Sequence, residues 1–135
     1  MNILCTICAR GNSKGVTDKA LKKINGVPLI GITIKQALKS KIFKEVVVST
    51  DSKKIQKTAL RFGGKSWYLR PKHLSKANSK HFDVLKHSLK ELWKRDLNPD
   101  ILVVLLANAP IVYSKWIDES INLIIKKKAT AVVPV

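Results

Sequence analysis

The residues best placed to do chemistry stand together near the start of the chain: Ala9-Arg10-Gly11-Asn12-Ser13-Lys14-Gly15, followed by Lys19. Glycines let backbone N–H groups come close to a phosphate. Ser13 adds a hydroxyl donor, and Arg10, Lys14 and Lys19 add cations that bind phosphate oxygens. The stretch has the make-up of a polyphosphate cradle; a basic, solvated turn would have the same composition. It is neither G-x-x-x-x-G-K-[ST] nor G-x-G-x-x-G, so a Walker loop and a dinucleotide fingerprint are excluded.

The flanking sequence predicts the elements that must hold this loop. Residues 3–8 read as a buried strand. Residues 21–24 read as a short extended piece, and Asn25-Gly26 as a tight turn. A helix follows with Ile30, Ile34, Ala37 and Leu38 on one face. Residues 45–49 carry the β-branched run Val46-Val47-Val48, suited to a parallel strand. Asp51 or Ser52 caps the next helix, whose inner face would be Ile55, Ala59 and Leu60, and Gly63-Gly64 ends it.

Residues 66–69 read as a short strand and residues 70–80 as a polar loop. A third helix presents Phe82, Leu85, Leu89, Leu92 and Trp93. Residues 101–106 form the most apolar strand. After a loop through Asn108 and Pro110 comes a fourth helix, with Ile117, Ile121, Ile124 and Ile125 inside. Its last turn carries Lys126-Lys127-Lys128 at the negative end of the helix dipole, and residues 131–135 begin another strand. The alternation predicts a Rossmann-like α/β fold: an open, mostly parallel sheet with helices on both faces, in three α/β/α layers. Ligands of such sheets bind beyond the carboxyl ends of the strands, which selects the loops at 9–19, 49–52, 70–80 and 106–113.

The 135 residues suit one domain, and 45% hydrophobic with 26% charged residues excludes a disordered chain. The formal net charge of +17 attracts polyanions, phosphorylated small molecules among them. Its 22 lysines against 4 arginines are spread over helix faces, which favours a solvated surface over a specific nucleic-acid interface. No apolar run reaches bilayer-spanning length and the N-terminus reads as a strand, so no membrane association and a cytoplasmic location are expected. Cys5 and Cys8 form a C-x-x-C, but positions three apart in a strand face opposite sides, which disfavours a metal or redox pair.

Other candidates keep two readings each. Asp51 is a helix cap or a metal ligand. His73, His81 and His87 are not spaced as a metal set, and His81 is a nucleotide contact or a surface residue. Asn108 is a base or phosphate contact or a turn residue. Trp67, Trp93 and Trp116 read as packing rather than base-stacking platforms.

Several blocks, taken in order, resemble the acylneuraminate (CMP-nonulosonate) cytidylyltransferases. The run from Ala9 to Gly15 with Lys19 is similar to that family's A-R-x-x-S-K-G…K-N loop. Asn25-Gly26-Val27-Pro28-Leu29 is similar to its G-x-P-L segment, Val47-Val48-Ser49-Thr50-Asp51 to V-V-S-T-D, and Leu69-Arg70-Pro71 to L-R-P. Residues 100–110 are similar to V-L-L-Q-x-T-S-P. The resemblance runs through all 135 residues and points to the N-terminal portion of a longer enzyme. The Ser13-Lys14-Gly15 run points away from the 3-deoxy-manno-octulosonate cytidylyltransferases of the same general fold.

The resemblance implies an enzyme that transfers CMP from CTP to a nonulosonic (sialic-type) acid, releases pyrophosphate and uses Mg2+, with a homodimer as its assembly. It implies Arg10, Lys14 and Lys19 as catalytic, with Ala9, Arg10, Asn12, Ser13, Lys14, Lys19, Arg70, His81 and Asn108 holding the nucleotide. The metal ligand it implies is a late aspartate beyond this chain, in the portion that also supplies the sugar-acid pocket. Four positions depart from the pattern: Ala20 replaces an asparagine, Ala77 an aspartate, Val112 an arginine, and Leu106 the glutamine linked to cytosine. Leucine cannot hydrogen-bond a base edge. The alternative reading is a non-catalytic nucleotide-binding remnant or subunit.

Overall fold

The computed structural model describes residues 1–13, 16–76, 78–107 and 113–131. Strand β1 (Ile3–Ala9) leads into a small hairpin of β2 (Asn12–Ser13) and β3 (Val16–Thr17), then a 3-10 turn at Lys19–Leu21. A second hairpin, β4 (Lys23–Ile24) and β5 (Val27–Pro28), precedes α1 (Leu29–Ser40). Then come β6 (Glu45–Thr50), α2 (Lys53–Arg61), a 3-10 turn at Lys72–Leu74, α3 (His81–Trp93), β7 (Ile101–Leu106) and α4 (Ser114–Lys127). The three long strands form a parallel sheet in the order β6-β1-β7.

The topology explains the layers. The chain leaves β1 toward β6 on one side and reaches β7 on the other. Right-handed crossovers in opposite directions place α1 and α3 on opposite faces, while α2, at the start of the second crossover, stays on the α1 face. One face of β1, Ile3, Cys5, Ile7 and Ala9, packs with Ile30 and Ile34 of α1, Ile55 and Ala59 of α2, and Ile117 and Ile121 of α4. On the other face Leu4 and Val47 meet Tyr68 and Leu92 of α3. The side-chain alternation that separates Cys5 from Cys8 is therefore realised: Cys5 lies in the first core, its thiol pushed up by burial, and both cysteines are free.

Local signals account for several boundaries. Asn25 (φ 51°) and Gly26 (φ 81°) both take the left-handed region that a two-residue hairpin turn requires. Ser52, not Asp51, caps α2, its Oγ accepting the Ile55 N–H at 3.3 Å. Gly63 (φ 92°) follows the end of α2, and the Gly64 N–H donates to the Ala59 carbonyl. Lys126 and Lys127 occupy the last turn of α4.

The helix faces differ from expectation in a consistent way. Leu38, Leu60, Phe82, Trp93 and Ile125 are exposed, while Thr58, Val84 and Ser88 are buried in their helices. Leu38, Leu60 and Trp93 each follow a buried residue, Ala37, Ala59 and Leu92, by one position, which is only 100° of rotation. The stripe of α3 is Val84, Ser88 and Leu92, so Leu85 and Leu89 are only half-buried. Residues 66–69 make no regular strand; the segment touches β6 through two isolated parallel bridges, Val47 with Lys65 and Thr50 with Leu69. Leu21 belongs to a 3-10 turn rather than an extended piece. Residues 132–135, expected to begin a strand, lie outside the described residues.

Candidate nucleotide-binding cleft

A cleft of about 210 Å3 opens beyond the carboxyl ends of β1 and β7. This is where chain direction diverges from the sheet, the position at which open α/β sheets bind ligands. Cys8, Ala9 and Arg10 from the end of β1 line it, with Lys19 and Ala20 from the first 3-10 turn. Leu106 and Ala107 come from the end of β7, Arg70 and Leu74 from the loop after α2, and His81 and Val84 from α3. Five of the nine residues expected at the nucleotide, Ala9, Arg10, Lys19, Arg70 and His81, thus meet in one place although up to 72 positions separate them (81 − 9).

The first loop is a hairpin, not an open turn. Asn12 pairs with Thr17 and Ser13 with Val16. Its base is closed by the Asp18 N–H donating to the Gly11 carbonyl at 2.6 Å. Its flank is held by the Asp51 carboxylate, which accepts the Gly11 N–H at 2.7 Å. Gly11 tolerates no larger residue there, since a Cβ would lie 2.9 Å from the Ser52 Cβ. Of the two readings for Asp51, neither a cap nor a metal ligand describes its contact; it fastens the loop to the end of β6. Asn12 and Ser13 are described by their backbone alone. Lys14, Ala77, Asn108 and Val112 lie outside the described residues.

Arg70 is placed differently from a free nucleotide contact. It is 5% exposed. Its Nη2 donates to the Ser49 carbonyl at 2.9 Å, its Nε approaches Ser49 Oγ at 3.4 Å and its Nη1 approaches the Leu74 carbonyl at 3.5 Å. Burial lowers its pKa from the ordinary arginine range, opposed by Cys8, Asp51 and Tyr68. The guanidinium thus pins the loop after α2 against β6 and presents its charge to the cleft from behind.

His81 opens α3 and is exposed at the cleft mouth, where the positive end of the helix dipole adds to the cationic field. His73 is exposed outside the cleft. His87 packs edge-on against Tyr68 at 5.2 Å, 3.7 Å from Glu91, and burial lowers its pKa. None of the three tryptophans lines the cleft. Trp67 lies under Arg95, and Trp116 meets Tyr113 edge-to-face.

Sequence reasoning missed Lys76 and Ser79, which complete the wall beside Leu74. Their place in a polar loop at the carboxyl end of the sheet was the available signal. Ser79 Oγ is committed to that loop, donating to the His73 carbonyl and accepting the Lys76 N–H. Lys76, exposed, adds another cation to the rim. Among the described residues no group of three or more His, Cys, Asp or Glu side chains could hold a metal ion.

Comparison with known proteins agrees with this geometry. The chain is 44% identical over 112 residues to the post-translational flagellin modification protein B of Campylobacter coli, covering 81% of this chain and 47% of that one. It is 37% identical over 112 residues to a pseudaminic acid cytidylyltransferase of Campylobacter jejuni, covering 83% and 48%. Among solved structures, a CMP:2-keto-3-deoxy-manno-octonic acid synthetase complexed with CTP superposes with a TM-score of 0.78 at 22% identity, covering 96% of this chain and 49% of that one. That likeness establishes the fold. The chain spans about half the length of these three proteins. The family described as cytidylyltransferase matches residues 4–134, nearly the whole length, and the chain belongs to that family.

Proposed function

We propose that the cleft binds CTP and that the chain forms the nucleotide half of an enzyme transferring CMP to a nonulosonic acid. The convergence of Arg10, Lys19, Arg70 and His81 beyond the strand ends carries this reading. In such a transfer the acceptor hydroxyl oxygen attacks the α-phosphorus, the bond to the β-phosphate oxygen breaks and pyrophosphate leaves. The protein's part is to position the triphosphate and offset its charge. Arg10 and Lys19 would grip the phosphates from the β1 side, and Lys14 would add a third cation to them. Asn12, Ser13 and Asn108 would complete the nucleotide contacts.

The acceptor class follows the relatives, whose names include synthases and cytidylyltransferases for N,N'-diacetyllegionaminic, pseudaminic and N-acylneuraminic acids. Each is an acid, which suits a cationic cleft mouth. Magnesium would arrive with the triphosphate. The described residues do not themselves form a magnesium site, because Asp51 commits an oxygen to the Gly11 N–H and no acidic cluster accompanies it. No helix among the described residues is long and apolar enough to cross a membrane. A cytoplasmic homodimer is the assembly this reading adopts.

The departure at Leu106, where the resembled pattern has the glutamine linked to cytosine, favours a second reading, nucleotide binding without turnover. One pair of measurements separates them. Calorimetry with CTP and magnesium should give heat that Arg10→Ala reduces at least about tenfold in affinity, since a charge-assisted phosphate contact is lost. Pyrophosphate release with CTP and a panel of nonulosonic acids should then occur. Binding without release selects the second reading, and no binding removes both.

A further inference from the structure

We infer that Ser49 is a positioning residue of the cleft: it aims the guanidinium of Arg70 so that two of its N–H groups face the bound nucleotide. The inference rests on the nucleotide reading above. The end of β6 grips Arg70 twice. The Arg70 backbone N–H donates to the Thr50 carbonyl at 2.8 Å, beside the bridge between Thr50 and Leu69. Its side chain then turns onto the buried Ser49. Register sets Ser49 beside Cys8, a residue of the cleft wall, so the two side chains share one face of the sheet.

An arginine carries five N–H donors in a rigid planar fork. Ser49 takes one edge of that fork. Its carbonyl accepts from Nη2 at 2.9 Å and its Oγ accepts from Nε at 3.4 Å, and these two nitrogens stand on the same edge. On the opposite edge Nη1 turns one hydrogen to the Leu74 carbonyl at 3.5 Å. Three donors are thereby directed at the protein. The other two, one on each terminal nitrogen, form the end of the fork. They point in parallel, the geometry that receives a pair of acceptor oxygens. Arg70 lines the cleft while only 5% exposed, and this end is what a nucleotide meets there.

Two contacts on one edge stop the planar group from turning; one contact leaves a hinge. The Ser49 hydroxyl supplies the second contact. Its bond is long, so its worth lies in direction more than in energy. Tyr68 backs the arrangement: its hydroxyl donates to Ser88 Oγ of α3 at 3.1 Å and lies against Ser49 and Arg70. The Ser49 carbonyl belongs to the backbone, so a substitution removes the hydroxyl contact alone.

Calorimetry on the full chain with CTP and magnesium, with urea denaturation of each variant, tests this. Ser49→Ala should weaken CTP about tenfold, the effect of a slightly misplaced binding group. Ser49→Thr keeps the hydroxyl and should recover most of that loss. In an Arg70→Lys background no fork remains to aim, and Ser49→Ala should change affinity by less than about twofold. A merely structural role lacks this dependence on residue 70. Wild-type affinity in folded Ser49→Ala, or an equal loss in both backgrounds, overturns the inference and leaves the nucleotide reading standing. Should Arg70→Lys fail to fold, the alanine and threonine variants decide: a loss that Ser49→Thr does not recover overturns the inference. No heat from the wild-type chain overturns both.

Discussion

The carboxylate of Asp51 accepts the backbone N–H of Gly11 at 2.7 Å, across 40 positions of sequence. This bond ties the end of β6 to the hairpin that follows β1. It places a strand-end acid where it steadies the loop bearing Arg10, rather than where it would meet the ligand. Asp51→Ala should leave that N–H unpaired and cost about 1–2 kcal/mol of stability. Loosening the loop should also weaken CTP binding about tenfold, as small misplacements of positioning groups do. Asp51→Asn keeps an acceptor oxygen and should recover most of both losses. Urea denaturation and calorimetry on the two variants read this out, and wild-type affinity in Asp51→Ala would show that the bond does not position the loop.

Gly11 and Ser52 should be energetically coupled. A Cβ on residue 11 falls 2.9 Å from the Ser52 Cβ. Gly11→Ala should therefore cost about 1–3 kcal/mol from overpacking. Ser52→Gly removes the obstructing carbon, and as an N-cap exchange it should cost only a few tenths, about 0.3 kcal/mol. The double variant should be more stable than Gly11→Ala alone. Strict additivity in a double-mutant cycle would contradict the contact.

Thr6 sits at the centre of the sheet, beside Val47 and Val104 in register. It is 1% exposed, and among the described residues its hydroxyl has no hydrogen-bond partner. Thr6→Val replaces the hydroxyl with a methyl of similar shape and should stabilise the fold by about 1 kcal/mol. A rise in the urea midpoint at constant slope is the expected result. A fall would mean that the hydroxyl is satisfied.

Acid should unfold the α3 region in two steps of the same sign. Burial lowers the His87 pKa below its ordinary value of 6.5. The unfolded chain then binds the proton first, so stability present above pH 6.5 declines as pH falls below it. Glu91 is held below its ordinary 4.5 chiefly by its hydrogen bond from Arg95. Its contribution is present above that value and lost as pH falls further. In urea midpoints measured from pH 7.5 to about 2.5, His87→Gln should flatten the upper step and leave the lower one.

Much of the architecture is legible in local sequence because local neighbours cause it. The β-branched run at Val46–Val48 and the apolar run from Ile3 become adjacent parallel strands. Asn25-Gly26 becomes the turn whose backbone those residues permit, and the loop at Arg10 falls at the carboxyl end of β1 as the alternation of strands and helices requires. Helix faces were legible only to within one or two positions. Leu60 and Thr58 exchange places because the helix period does not say where a covering element ends, and that element is far away in sequence.

The chain's own residues determined that cations would gather at one end of a parallel sheet. Tertiary structure decided what each would do there. Arg70, expected at the nucleotide, lines the cleft while its guanidinium also turns onto Ser49, since a charge brought into a low-exposure pocket needs fixed acceptors. Asp51 reads as a cap or a ligand, yet a backbone N–H from a distant loop claims it. Short-range pattern sets which groups are present and which end they occupy; pairing between distant segments sets which of them remain available to a substrate.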